Sequence, residues 1–112
     1  MTSPTARSMA LLRKRGLVPA QVERWNAWAK VRHDAFGIFD IVAIGNGQIL
    51  GVQSTTLNHL GERKSKLLAS PNTRLWIAAG GRIELHGWRK LLRPRPRWQA
   101  KIIVLHSLPV SD

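Results

Sequence analysis

The chain of 112 residues predicts an α/β fold, a mixed central sheet flanked by helices, on three observations. Two apolar runs flank Asn46-Gly47, a dipeptide suited to the positive φ angles of a two-residue type I′ hairpin turn. A leucine-containing segment with helical spacing follows that hairpin and leads to an alternating stretch, Arg82 to Trp88. The near-continuous run Ile102 to Leu105 then reads as a strand covered on both faces.

Taken in order, residues 5–15 predict a helix. Ser3 or Thr5 caps it, Pro4 lies near the first turn and Gly16 is the stop. Residues 17–25 fit two descriptions. Val18, Ala20 and Val22 alternate as in an edge strand that tolerates Pro19, and a short helix starting at Pro19 fits nearly as well. Residues 26–36 read as a connection. The hairpin then spans 37–56, and its turn sets Gly45 opposite Gln48, Ile44 opposite Ile49, Val42 opposite Gly51 and Asp40 opposite Gln53. Asn58 can cap a helix over 58–69, which Ser70-Pro71-Asn72 ends, and a second helix over 73–79 stops at Gly80-Gly81. Strands over 82–88 and 98–106 complete one domain, with 107–112 as a tail.

Composition narrows the function classes. The absence of cysteine excludes disulfides, thiolate zinc sites and a cysteine nucleophile. No segment approaches the ~20 apolar residues of a membrane span, and no secretory signal is evident, so the expectation is a soluble, cytoplasmic protein. Eighteen Lys and Arg against six Asp and Glu give a net charge of +12, a field that favours polyanions, of which phosphate backbones are the commonest in a cell.

The polar group inside the hairpin is the first candidate for chemistry. Asp40 and Gln53 are cross-strand neighbours, and Thr55, two residues beyond Gln53, projects to the same face. Buried polar side chains need partners or a task. An Asp with a second oxygen ligand can hold Mg²⁺, which activates water and stabilises charge on a scissile phosphate; a buried Asp–Gln hydrogen bond that fixes register is the plainer alternative.

The stretch from Arg32-His-Asp-Ala-Phe-Gly-Ile-Phe-Asp40 through Leu50-Gly-Val-Gln-Ser-Thr55 resembles the PD-(D/E)xK nuclease superfamily, in particular its small resolvase-like members and a set of uncharacterised phage and bacterial proteins. The resemblance covers roughly residues 8–90. It implies a restriction-endonuclease-like α-β-β-β-α-β core and hydrolysis of phosphodiester bonds with Mg²⁺ or Mn²⁺. It also implies DNA, branched DNA included, as substrate, a homodimer, and a bacterial cell or phage-infected host as the setting. Asp40 matches the first motif. The second, (D/E)-x-K, falls on Gln53-Ser54-Thr55, so Gln53 stands for a metal-binding carboxylate and Thr55 for the lysine. Lys66 or Arg63 from the following helix can supply the missing cation. The first helix lacks the Glu common in resolvase-like members, and Glu23 is the nearby substitute. A nucleic-acid-binding module without activity, on the same fold, and an RNA-associated basic protein are the alternatives.

Asp34 either adds a metal ligand by folding over the strand end, or pairs with Arg32 or caps the turn at Gly37. In Trp88-Arg-Lys-Leu-Leu-Arg-Pro-Arg-Pro-Arg-Trp98, Arg89, Lys90, Arg93, Arg95 and Arg97 sit between two tryptophans, with Pro94 and Pro96 keeping the strip extended. Arg pairs bidentately with phosphate and Trp98 can stack on a base. The four histidines lack metal-site spacing, Ser54 has no adjacent base, and Trp25, Trp28 and Trp76 read as core or edge residues.

Overall fold

The computed structural model describes residues 2–105, except the side chains of Trp25, Val31 and Arg32. His106, the expected tail at 107–112, the proposed Arg32–Asp34 pair and the role of the Trp25 side chain therefore fall outside the described residues.

Helix α1 (Pro4–Lys14) starts as its sequence requires, with Ser3 Oγ accepting the Ala6 N–H at 3.1 Å and Pro4 in the first turn. The ambiguous segment resolves as strand β1 (Val18–Gln21), whose position at the sheet edge leaves room for Pro19. The expected connection after it is instead a separate antiparallel hairpin, β2 (Arg24–Asn26) with β3 (Val31–His33). Its turn contains neither Gly nor Pro. Asn26 Oδ1 shapes it by accepting the N–H groups of Trp28 and Ala29 at 3.0 and 3.1 Å, and Lys30 takes a φ of 54°.

Strands β4 (Ile41–Gly45) and β5 (Gln48–Thr56) form the central hairpin in the expected register, with Asn46 and Gly47 at φ 53° and 75°. That register ends at Ile41 opposite Val52: Asp40 lies one residue before β4, its N–H bonds the Val52 carbonyl at 3.0 Å, and the expected pairing of Asp40 with Gln53 does not form. Leu57–His59 make a single 3-10 turn before α2 (Leu60–Ala69), so Asn58 does not cap that helix. Ser70 ends α2 and caps α3 (Pro71–Ala78), its Oγ accepting the Asn72 N–H at 3.3 Å; α3 thus starts two residues before the expected Thr73. Strands β6 (Arg82–Leu91) and β7 (Arg97–Leu105) form a second long hairpin.

The main sheet runs β1-β4-β5-β6-β7, antiparallel except for β5 and β6, whose parallel pairing the α2–α3 crossover permits. Alternation along the strands divides the core in two. Leu12 of α1, with Leu17, packs on Ile41, Ala43, Leu50 and Val52, while Leu60 and Leu67 of α2 pack with Phe39, Ile83 and Leu85. Gly51 is required on the second face, because a Cβ there would come within 2.5 Å of the Phe39 ring. The expectation for the last strand needs correction. β7 is an edge strand, with Ile103 and Leu105 packed inward and Ile102 and Val104 exposed. Its continuous apolar run reflects strand preference more than two-sided burial. Among the described residues no helix is long and apolar enough to cross a membrane.

Candidate metal and nucleic-acid site

The carboxyl end of β5 opens onto a cleft of about 470 Å³. The first turn of α1 (Ser3, Pro4, Thr5), Glu23 at the foot of β2, Asp34 just after β3, Asp40 before β4 and Arg63 of α2 all line it. The hairpin β2–β3 is what brings the carboxylates together: its two strands begin after Glu23 and end before Asp34, so its foot sets both beside Asp40. One oxygen from each of Glu23, Asp34 and Asp40 lies within 4.8 Å of the others. Three of the four expected metal ligands therefore converge, although they are 17 positions apart in sequence at the extremes, Glu23 to Asp40.

Asp40 is buried and accepts the Ser54 peptide N–H on Oδ2 at 2.8 Å. Burial pushes its carboxyl up from 3.8 to about 7; the Ser54 N–H opposes this, Asp34 and Glu23 add to it, and Arg63 offsets part. A carboxylate so placed is short of positive charge.

Gln53, the fourth expected ligand, occupies an adjoining cavity of about 170 Å³ that Asp34 and Arg63 also border, with Lys66 and Ser70. It is 5% exposed, and its Oε1 is buried without a hydrogen-bond partner. The Asp–Gln hydrogen bond is thus not what occupies the hairpin, since Asp40 bonds the Ser54 peptide instead. Thr55 is buried and lines the larger cleft, whereas Lys66 is exposed and stands 3.9 Å from Glu62. Of the two candidate cations, Arg63 is the better placed toward Asp40, because it borders both cavities and acts on that carboxylate.

Sequence reasoning missed two features. His59 lines the cleft, with Nδ1 3.6 Å from Glu62, and only the 3-10 turn that follows β5 puts it there. Behind the cleft a buried hydrogen-bonded chain joins α1 to the sheet. Ser8 Oγ lies 2.7 Å from Ser54 Oγ, 2.8 Å from His86 Nδ1 and 2.9 Å from the Trp88 indole N–H that it accepts. His86 Nε2 is 2.8 Å from Glu84, which Arg15 also clasps with two bonds at 2.7 and 2.8 Å. Burial pushes Glu84 up, but these bonds and the Arg15 charge hold it at about 2, so it is an acceptor and His86 Nε2 the donor. In a neutral ring Nδ1 then accepts from Ser8, which accepts in turn from Ser54 and Trp88, and every member is satisfied.

The cationic strip is not one extended segment. Arg89 and Lys90 end β6, Arg93 and Arg95 occupy the turn, and Arg97 and Trp98 begin β7. Trp88 is buried in the Ser8 chain and cannot stack on a base, while Trp98 carries the Arg7 guanidinium 3.8 Å over its ring. Arg97 donates to the Arg93 carbonyl at 2.6 Å, and Arg89 to Gln99 at 3.1 Å. Because β5 and β6 are parallel, with Thr56 beside Trp88, the strip leaves the sheet at the same end as the acidic cleft. Trp76 packs on Phe39, as expected of a core residue; Trp28 does not, being 98% exposed. Comparison of the chain with protein-family models, curated proteins and solved structures finds no match.

Proposed function

We propose that the chain is a metal-dependent nuclease with a PD-(D/E)xK-like, restriction-endonuclease-like core, hydrolysing phosphodiester bonds in DNA. The convergence of Glu23, Asp34 and Asp40 carries this reading. Hard oxygen donors of this kind suit Mg²⁺ or Mn²⁺, and the orphaned Gln53 carbonyl beside Asp34 adds a neutral one. The elevated Asp40 carboxyl fits the same group, since a divalent cation would favour its ionised form. When bound, such an ion supplies an activated water and neutralises phosphate charge. The protein's own share is positional. The Ser54 N–H fixes Asp40, the β2–β3 hairpin presents Glu23 and Asp34, and Arg63 offers its charge to the phosphate, with Lys66 further out.

The net charge of +12 and the cations at the same end of the sheet supply a track for the DNA backbone. The test is nicking of supercoiled DNA with Mg²⁺ or Mn²⁺, alongside Mn²⁺ binding by calorimetry. Asp40→Ala is expected to lose at least 100-fold in nicking and to weaken Mn²⁺ binding at unchanged fold. Tight DNA binding with no cleavage under either ion would replace the enzyme with a binding module on the same scaffold.

A further inference from the structure

The hairpin that delivers Glu23 and Asp34 to the cleft carries at its tip a tryptophan, Trp28, that is 98% exposed. Isolated apolar residues at a surface are ordinary. This one is held out by a constructed turn. Asn26 Oδ1 accepts both the Trp28 and the Ala29 N–H, its amide nitrogen lies 3.4 Å from His33 Nε2, and Lys30 sits in the left-handed region at φ 54°. That conformation is strained for a residue with a Cβ, so the turn gives up local energy to keep its shape. The same hairpin carries two exposed cations, Arg24 at its base and Lys30 two residues past the ring, with His33 exposed beside Arg24.

An aromatic face among cations is the combination that binds unpaired nucleotides, where bases stack and the backbone meets positive charge. Neither of the other two aromatic candidates near the cationic strip is as open, with Trp88 buried and Trp98 44% exposed with Arg7 over its ring. Counting about 3.3 Å per strand residue, the tip stands about 15 Å from the foot of the hairpin. A strand that leaves the cleft along this hairpin reaches Trp28 within a few nucleotides.

We propose that Trp28 is a base-stacking platform that makes the cleft select single-stranded nucleic acid, with its bases unpaired, over continuous duplex. The proposal rests on the nuclease reading for its substrate but not for its test, which is done in EDTA, where no metal-dependent cutting takes place. Binding of a labelled single-stranded oligonucleotide and of the matching duplex is measured by anisotropy at fixed salt, for the wild type, Trp28→Ala and Trp28→Phe. Stacking of one base predicts a loss of about 5- to 150-fold for the single strand in Trp28→Ala, with duplex affinity changed less than twofold and most affinity kept in Trp28→Phe. Unchanged single-strand affinity, or equal loss on both probes, overturns the proposal. So does a change in oligomeric state by light scattering, which would assign the ring to a second copy of the chain. If Trp28→Ala has no effect while wild type still nicks DNA with Mg²⁺, the stacking role alone falls; if wild type binds neither probe, both readings fall.

Discussion

Asp40 is the residue on which cleft, fold and chemistry meet. Its carboxyl, ordinarily near 3.8, is pushed to about 7, chiefly by burial. Between those values the folded state keeps a proton that the unfolded chain has released. Stability contributed by Asp40 is thus complete below about 3.8 and is lost as pH rises through about 7, by at most about 1.4 kcal/mol per pH unit. Glu84 works in the opposite sense: held at about 2 against an ordinary 4.5, it contributes stability above 4.5 that disappears as pH falls toward 2. Urea unfolding in EDTA from pH 4.5 to 7.5 is expected to show Asp40→Asn gaining on the wild type as pH rises, and two parallel curves would contradict the assignment. Mn²⁺ affinity should move the other way, strengthening as pH passes about 7, because proton and ion compete for one carboxylate. Asp40 itself was legible from the hairpin turn, since register arithmetic needs only Asn46-Gly47. The partner of its carboxylate was not, because the paired register stops at Ile41 and Val52: the Asp40 N–H goes to the Val52 carbonyl and its carboxylate takes the Ser54 N–H in place of Gln53.

At the scale of elements, the contact between α1 and the sheet depends on a polar chain that hydrophobic periodicity does not reveal. Ser8 reads as an ordinary polar helix position, yet it is fully buried and makes three hydrogen bonds. Ser8→Ala removes one group and strands the Trp88 N–H and the His86 ring nitrogen. At about 1–3 kcal/mol for each unsatisfied buried group, a loss of about 2–6 kcal/mol is expected in urea melts. Because Ser54 shares that chain and its N–H holds Asp40, the same variant should also weaken Mn²⁺ binding; a loss of stability with metal affinity intact would limit the chain to scaffolding. The elements easiest to read were those with local signals, such as the Ser3 cap of α1 and the Asn46-Gly47 turn. The β2–β3 hairpin had none, because an Asn side chain and a strained Lys30 do the work usually left to Gly or Pro. That omission mattered, for without the hairpin Glu23 and Asp34 have no reason to meet.

For the molecule as a whole, a charge of +12 on 112 residues gives a long-range field, but the fold decides which cations a polyanion can use. Arg93 and Arg95 stand exposed in the β6–β7 turn, while Arg97 spends hydrogen bonds on the Arg93 and Arg95 carbonyls and shapes that turn. The three are equivalent in composition and different in structure. Each phosphate contact contributes about 0.9 to the slope of log affinity against log salt on duplex DNA. Arg93→Gln with Arg95→Gln should therefore flatten that slope by about 1–2 while leaving thermal stability unchanged. Arg97→Gln should lower the melting temperature as well, because it releases two carbonyls as it removes a charge. A slope untouched by the double change would take the turn out of the interface. The proposed DNA track would then be left to the cations nearer the cleft, Arg63 and Lys66, and to Arg24 and Lys30 of the Trp28 hairpin.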